Sequence, residues 1–146
     1  MAFEQLKLKN QLCHRLYMAS NKIIRSYKDY LDPLDLTYPQ YVVMMALWEF
    51  DHIKVSRLIE LTQIDGGSLT LILKKLIKKG FITESKDSID KRSKVLSLTP
   101  TGKALRKSAA SIPKKLSCED PKLSPKEAYQ LALLLDKYLD LNRDLN

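Results

Sequence analysis

Near its start, the chain places apolar residues three or four positions apart with charged residues between them, which is the spacing of one helix face. The apolar positions are Leu12, Leu16, Ala19, Ile23 and Tyr27. This pattern predicts one long helix from Phe3 to about Leu31. Asp32 and Pro33 end it, because proline disfavours helix in the residue that precedes it.

A second helix is predicted to begin just after Thr37. Thr37 and Gln40 have the spacing of a capping box, and Pro39 between them is tolerated in a first helical turn. The helix then runs to about Phe50. Its apolar stripe consists of Tyr41, Met44, Met45 and Trp48.

Two shorter helices follow, at about Lys54–Leu61 and Gly67–Lys79, and a tight connection at Thr62–Gly66 separates them. Their core-facing residues are Val55, Leu58 and Ile59 in the first and Leu69, Ile72, Leu73 and Leu76 in the second. Gly80 stands where a glycine usually ends a helix. Two short helices joined by a small turn are the pattern of a helix-turn-helix.

The next segments predict a β-hairpin. Phe81–Lys86 and Arg92–Leu98 are the strands, and the polar segment Asp87–Lys91 between them is turn-prone. A hairpin directly after a helix-turn-helix is typical of a winged helix. The predicted fold class is therefore mostly α with a small β-hairpin wing, a winged helix-turn-helix.

Helices are also predicted in the C-terminal part of the chain, on either side of a connector. Thr99 and Pro100 start one helix that runs to about Ala110, and a second capping box at Ser124–Glu127 opens the last helix. Between them, Ile112–Leu123 holds two prolines and is predicted as the connector. The last helix has apolar residues at Leu131, Leu134, Leu135, Tyr138, Leu141 and Leu145.

The chain has 146 residues, 45% of them hydrophobic and 29% charged, which is the composition of one globular domain. Disordered and fibrous chains are thereby excluded. Lys and Arg number 25 against 17 Asp and Glu, which gives a formal net charge of +8. So basic a protein commonly binds a polyanion, either nucleic acid or an acidic membrane surface.

The placement of the charges favours nucleic acid. The segment Gly66–Lys79 contains no acidic residue and carries Lys74, Lys75, Lys78 and Lys79. The wing adds Lys86, Lys91, Arg92 and Lys94. The last helix instead carries Glu127, Asp136, Asp140 and Asp144. A membrane-binding helix needs a large apolar face that can insert into the bilayer. Here the apolar residues of the same helix, such as Leu69 and Leu73, are predicted to pack in the core. A solvated helix face is the alternative for the lysines alone, but their position on a helix-turn-helix indicates duplex DNA.

The second helix of a helix-turn-helix enters the major groove with its first turn on base edges. Ser68 and Thr70 are short hydroxyl residues suited to that turn. The lysines expected to meet phosphates, which position a protein without reading sequence, are Lys74, Lys75 and Lys78. In the wing, Lys91 and Arg92 extend the DNA-binding set. Arg92 is expected in a narrow minor groove, with Asp90 orienting it.

The terminal helices carry apolar stripes broader than one small domain needs. We therefore predict that they bury these stripes against each other and against a second copy of the chain. A monomeric helical bundle is the alternative. Residues 1–146 would then form a single winged-helix domain, with its DNA-binding part at about 52–98 and dimerisation helices at about 3–31 and 100–146.

Residues that bind metals are sparse. The two cysteines and two histidines are Cys13, Cys118, His14 and His52, and no CxxC or HxxxH spacing occurs. We therefore expect no metal site and no cofactor. No apolar run of signal-peptide or transmembrane length follows the N-terminus, so a cytoplasmic protein is predicted. In a reducing compartment such cysteines are either inert core thiols or redox-active ones.

Short motifs carry a resemblance to a known family. Asp90-Lys91-Arg92 matches the Asp-x-Arg wing motif of the MarR-type winged-helix regulators, and the matching order of elements covers almost the whole chain. Within that family the chain resembles the organic hydroperoxide resistance regulators, in their two-cysteine subgroup. The matching segments are Gln11-Leu12-Cys13, Leu16-Tyr17, Leu36–Tyr41 and Asp65–Leu76.

The resemblance implies a homodimeric transcriptional repressor that binds a pseudo-palindromic DNA operator and has organic hydroperoxides as its inducer. It implies Cys13 as the redox-sensing thiol and Cys118 as the resolving thiol, with release of the operator on oxidation. The tyrosines implied to hold the sensing thiol are Tyr17, Tyr27 and Tyr38.

Helix geometry adds a constraint on these residues. Tyr17 lies four residues after Cys13 and therefore on the same helix face. Tyr27 lies fourteen residues after Cys13, which is about 21 Å along a straight helix. Contact between Tyr27 and Cys13 would then require the antiparallel helix of a second copy. The same continuous helix places Cys13 far from a helix end, where the helix dipole has no effect on it.

Two other functions compete with this one. The first is a MarR-type repressor that a small phenolic ligand releases from DNA, with redox-silent cysteines. The second is a thiol peroxidase, which the sequence disfavours because Cys13 lacks the preceding Pro and Thr of peroxiredoxins. We therefore predict a regulator and not an enzyme.

Overall fold

The elements follow one another as a helix-turn-helix with a hairpin wing between flanking helices. The computed structural model describes residues 3–119 and 122–141. In these ranges the helices are α1 (Leu12–Leu31), α2 (Tyr38–Glu49), α3 (Val55–Thr62), α4 (Gly66–Lys78), α5 (Pro100–Ala109), α6 (Ile112–Glu119) and α7 (Pro125–Tyr138), and the strands are β1 (Ile53–Lys54), β2 (Ile82–Lys86) and β3 (Lys94–Leu98). The predicted fold class is confirmed.

The chain divides into two units, Met1–Ile112 and Pro113–Asn146. The first unit contains α1 to α5 and the sheet, and the second contains α7 and nearly all of α6.

The N-terminal helix is shorter than predicted. Glu4–Leu6 and Leu8–Asn10 form two 3-10 turns, and α1 begins only after Gln11, whose extended backbone caps it. The Gln11 side chain donates to the carbonyl oxygens of Gln5 (2.7 Å) and Lys7 (3.1 Å). These bonds satisfy carbonyl groups that a continuous helix would have used. The prediction of one helix from Phe3 was therefore wrong.

Helix α2 lies at the centre of the core of the first unit. The predicted capping box is present, with Thr37 N–H donating to Gln40 Oε1 (3.1 Å) and Gln40 N–H donating to Thr37 Oγ1 (3.4 Å). Burial is not confined to the predicted stripe, because the buried residues are Gln40, Tyr41, Val43, Met44 and Leu47. Met45, a member of the predicted apolar stripe, is exposed.

The wing is part of a three-stranded antiparallel sheet in the order β1-β3-β2. Leu96 of β3 pairs with Ile53 on one side and Glu84 on the other. The predicted hairpin is confirmed, but β1 was missed because two residues are too few to show alternation.

The end of α4 is closed as the sequence predicts. Gly80 has a φ of 76°, a conformation that glycine adopts without steric cost. Phe81 N–H donates to the Leu76 carbonyl (3.1 Å) and Gly80 N–H donates to the Ile77 carbonyl (2.9 Å). Together these bonds form a Schellman motif.

The C-terminal part contains one more helix than predicted. Ile112–Leu123 was predicted as a connector, but α6 occupies most of it, with Pro113 in a first turn that tolerates proline. The capping box of Ser124 and Glu127 is confirmed. Leu141 follows the end of α7, and the predicted positions Leu145 and Asp144 lie outside the described residues.

We expect Gly102→Ala to destabilise the protein by about 2 kcal/mol, as overpacking of a close contact typically does. A Cβ at this position in α5 would clash with the backbone carbonyl of Phe81. Gly66→Ala is the control, because a Cβ there meets nothing within 4 Å. Urea unfolding followed by circular dichroism measures both variants, and equal free energies of unfolding would contradict the expectation.

Candidate nucleic-acid interface and thiol site

Helix α4 has one buried face and one exposed basic face. Leu69, Leu73 and Leu76 are buried in the core. The predicted contact residues lie on exposed positions of the same helix, at Ser68, Thr70, Lys74, Lys75 and Lys78. Burial of the leucines therefore turns all five side chains of the predicted set toward solvent.

The first turn of α4 is fixed by its N-cap, Asp65. Asp65 Oδ1 accepts the Ser68 N–H at 2.9 Å. Hydrogen bonds from the side chain and then the backbone of Ser68 lower the pKa of Asp65. The Thr70 hydroxyl donates to the Gly66 carbonyl (2.8 Å), which leaves its oxygen free to accept a hydrogen bond.

The lysines of α4 fall into two groups. Within the ranges that the structure describes, Lys74, Lys75 and Lys78 form no ion pair. Lys79 behaves differently, because its ammonium group lies 3.3 Å from Asp35 Oδ1 and donates to Gln40 Oε1 (2.9 Å). The fourth lysine of the basic run is thus directed away from the exposed face that carries the other three.

The turn of the wing is built by two aspartates. Asp90 accepts the Arg92 N–H and the Ser93 hydroxyl, both at 3.1 Å. Asp87 accepts the Asp90 N–H at 3.1 Å and pairs with Lys54 at 3.1 Å, and these two contacts lower the pKa of Asp87. Asp87 and Lys54 were not predicted as part of this turn, although an aspartate at the start of a turn is a recognisable signal.

The predicted ion pair between Asp90 and Arg92 is present, but it consists of one nitrogen–oxygen contact and not of a two-pronged pair. Arg92 Nε lies 3.6 Å from Asp90 Oδ1, and the Arg92 side chain is 95% exposed. Lys91 beside it is also exposed. Asp90 thus shapes the turn mainly through backbone and hydroxyl contacts, and the guanidinium group projects into solvent.

An open cleft of about 270 Å³ lies between the start of α3 and the wing. Its lining residues are Lys54, Val55, Ser56, Arg92, Ser93 and Lys94. Three of these six side chains are cationic, and two of the three are paired with carboxylates, Lys54 with Asp87 (3.1 Å) and Lys94 with Glu84 (3.3 Å).

Cys13 is the second residue of α1 and is exposed. The prediction that it lies far from a helix end was therefore wrong. Backbone N–H groups in a first turn have no helical partner, and the positive end of the helix dipole lies there. Tyr17, one turn further along, is 67% exposed. Cys13 and Tyr17 therefore lie together at the N-terminal end of α1.

The tyrosines implied to hold the thiol are not all near it. Tyr27 and Tyr38 pack together with Tyr41, with ring centroids 5.1 Å (Tyr27–Tyr38), 5.6 Å (Tyr27–Tyr41) and 6.5 Å (Tyr38–Tyr41) apart. This cluster lies at the opposite end of α1 from Cys13 and Tyr17. Tyr41, predicted as part of the apolar stripe of the second helix, is buried.

Cys118 lies in α6, in the second unit. Among the residues that the structure describes, no group of three or more His, Cys, Asp and Glu side chains has an arrangement that could hold a metal ion. In the same ranges, no helix has the length and apolar character needed to span a membrane.

Two helices expose most of their apolar residues. Of the twenty described residues of α1, only Leu31 is buried, and none of the described side chains of α7 is buried. The exposed apolar residues of these two helices include Leu12, Tyr17, Met18, Ile23, Ile24, Leu131, Leu134 and Tyr138. Such extended apolar surfaces mark interaction sites.

Known proteins resemble this chain in sequence and in fold. The family model described as MarR matches residues 36–94. The organic hydroperoxide resistance transcriptional regulator of Bacillus subtilis (strain 168) is 40% identical over 111 residues, which are 76% of this chain and 76% of that protein. The HTH-type transcriptional regulator SarZ of Staphylococcus aureus (strain MRSA252) is 35% identical over 144 residues, which are 99% of this chain and 97% of that protein. A solved structure of reduced AbfR bound to DNA superposes with a TM-score of 0.78 at 26% identity, covering 96% of this chain and 97% of that one.

We expect the free energy of unfolding to fall as pH rises above 10.0, the ordinary pKa of tyrosine. Burial and then the neighbouring tyrosines raise the pKa of Tyr27 and of Tyr41 in the folded protein. The unfolded chain therefore loses these protons first, and ionisation favours unfolding. Urea unfolding between about pH 8 and about pH 11 measures the slope. Tyr27→Phe should flatten the slope and exposed Tyr17→Phe should not; equal slopes in both variants would refute the expectation.

Proposed function

Because the chain belongs to the MarR family of DNA-binding transcriptional regulators, we propose that it is a repressor that senses organic hydroperoxides through Cys13 and then releases its operator. One observation above all supports α4 as the DNA-binding element. Lys74, Lys75 and Lys78 lie exposed on α4, opposite its buried leucines and without ion pairs in the described part of the chain. The family and the relatives named above are regulators and not enzymes.

In this interface α4 occupies the major groove. The Thr70 oxygen, whose proton is used on Gly66, accepts from an exocyclic amine of a base. Ser68 lies beside it in the first turn, and the three lysines contact phosphates on either side. Arg92 and Lys91 reach the adjacent minor groove, where the potential is most negative.

The functional unit of this proposal is a homodimer. The exposure of the apolar side chains of α1 and α7, each within its own unit and among the described residues, supports these two faces as dimerisation surfaces. Two copies related by a two-fold axis present two α4 helices, so the operator is pseudo-palindromic with half-sites about 34 Å apart or a multiple of that distance.

Oxidation begins at the Cys13 sulfur. The thiolate attacks the outer oxygen of the hydroperoxide, an S–O bond forms, the O–O bond breaks, and the leaving alkoxide takes a proton to become an alcohol. The product is a sulfenic acid at Cys13. The Cys118 thiol then attacks this sulfur, forming a disulfide and releasing water. For each disulfide formed, two thiols are oxidised and one hydroperoxide molecule is reduced to an alcohol and water.

Dimerisation also completes the thiol site in this proposal. An antiparallel pairing of the two α1 helices would bring the partner subunit's Tyr27 and Tyr38 toward Cys13. Their phenol groups then donate hydrogen bonds to the thiolate, and the raised pKa of Tyr27 keeps its proton in place. A disulfide to Cys118 would displace these helices and change the spacing of the two α4 helices, which releases DNA.

We expect Arg92→Ala and Lys78→Gln each to weaken DNA binding about tenfold and to reduce the salt dependence by about one ion per protomer. Fluorescence anisotropy at several salt concentrations measures both quantities, using a duplex that the wild-type protein selects from a random-sequence pool. Lys126→Gln, an exposed lysine of α7, is the control and should bind as the wild type does. An Arg92→Ala variant with unchanged affinity would remove the wing from the interface.

We expect one equivalent of cumene hydroperoxide to abolish binding of the selected duplex by the wild type and not by Cys13→Ser. Oxidised wild-type protein should also show a crosslinked dimer on non-reducing electrophoresis, which Cys118→Ser loses. A crosslink that persists in Cys118→Ser would exclude Cys118 as the resolving thiol. If oxidation leaves the DNA affinity of the wild type unchanged, thiol sensing is excluded. The alternative, a repressor that a phenolic ligand releases from DNA, would then remain.

A further inference from the structure

Lys79 is the last lysine of the basic run, yet its ammonium group is enclosed by oxygen atoms of the protein. It donates to Gln40 Oε1 (2.9 Å) and to the backbone carbonyl of Asp35, and it lies 3.3 Å from Asp35 Oδ1. Its side chain is 23% exposed. An ammonium group has three protons to donate, so these contacts leave it little capacity for a phosphate.

The acceptors of Lys79 belong to the junction between α1 and α2. Gln40 is the one buried polar or charged side chain among the residues that the structure describes. Its Oε1 accepts from Lys79 and from the Thr37 N–H that starts α2. Asp35 adopts a left-handed conformation, with a φ of 55°, directly after the 3-10 turn that ends α1. Both acceptors are therefore held by backbone geometry.

The residues on the two sides of the contact between Lys79 and Gln40 belong to different parts of the proposed mechanism. On one side, Tyr38 follows Thr37 directly and packs on Tyr27 of α1 at 5.1 Å. On the other side, Lys79 is the C-cap of α4, and the next residue, Gly80, accepts the Thr99 hydroxyl through its carbonyl. Lys79 thus joins the junction of α1 and α2, where Tyr38 lies, to the end of the helix that carries the proposed DNA-binding lysines.

We propose that Lys79 is a positioning residue for sequence recognition, which sets the orientation of α4 against the α1–α2 junction and does not itself contact DNA. The inference rests on the proposed DNA interface. Tyr38 packs on Tyr27 and directly follows Thr37, whose N–H donates to the same Gln40 Oε1 that accepts from Lys79. A displacement of Tyr38 would therefore reach Lys79 through the backbone of Thr37 and the Gln40 side chain.

Binding to two duplexes separates a positioning role from a phosphate contact. A lost phosphate contact weakens binding to all sequences about equally and lowers the salt slope by about one, whereas a misplaced helix costs affinity only where bases are read. The two probes are the duplex selected by the wild type and a scrambled duplex of the same composition. We expect Lys79→Gln to lower the ratio of the two affinities about tenfold, which is the size of one lost base contact, and to leave the salt slope unchanged.

Matched variants complete the experiment. Lys78→Gln should lower both affinities and the salt slope, with the ratio retained. Lys79→Arg keeps a charged multiple donor and should restore the ratio. Asp35→Asn removes the negative charge that pairs with Lys79 and tolerates the left-handed conformation. It should lower the ratio in the same direction, which keeps the inference testable if Lys79→Gln does not fold.

Lys79→Gln would overturn the inference by binding as the wild type does, or by behaving as Lys78→Gln does. For Asp35→Asn the overturning result is a ratio equal to that of the wild type. If the wild-type protein selects no duplex from the pool, the proposed DNA interface fails as well. If it selects one and the Lys79→Gln ratio is unchanged, only the positioning role fails.

Discussion

The arrangement of the first unit depends above all on the burial of one face of α4. Leu69, Leu73 and Leu76 are each at most 4% exposed, and each contributes about 2 kcal/mol when fully buried. Residues three or four positions apart share a helix face, so this burial forces Lys74, Lys75 and Lys78 outward. The Asp65 cap and the Schellman motif at Gly80 prevent the helix from extending past either end. The basic surface is therefore a consequence of the core.

Much of this could be predicted from the sequence, because the signals are local. The capping boxes of Thr37 and Ser124 and the glycine after α4 each depend on residues within one helical turn, and all three are present. The hairpin and the exposed lysines follow from alternation and helical spacing in the same way. Propensities that act over a few residues are enough for elements of this length.

The predictions that were wrong concern places where contacts between groups further apart in the sequence determine the structure. The Gln11 side chain bonds to carbonyl groups four and six residues before it, and this breaks a helical pattern that is continuous in the sequence. Lys79 carries the same charge as Lys78, but its ammonium group donates to the Asp35 carbonyl and to Gln40 Oε1, which lie 44 and 39 residues away along the chain. Neither composition nor periodicity distinguishes these two lysines, because the acceptors come from another part of the fold.

The N-terminal break changes the chemistry expected of Cys13. A thiol deep within α1 would be surrounded by paired backbone groups, whereas Cys13 is the second residue of α1, in the turn whose N–H groups have no partner within the helix. The tyrosine cluster remains at the other end of the same helix, about 21 Å away by helical rise. One chain therefore supplies a thiol at one end of α1 and a set of phenol groups at the other, and holds them apart. Because α1 also exposes most of its apolar residues, one antiparallel pairing of α1 helices would cover them and join the two halves of the site. The state of the thiol and the spacing of the DNA-binding helices would then depend on the same interface.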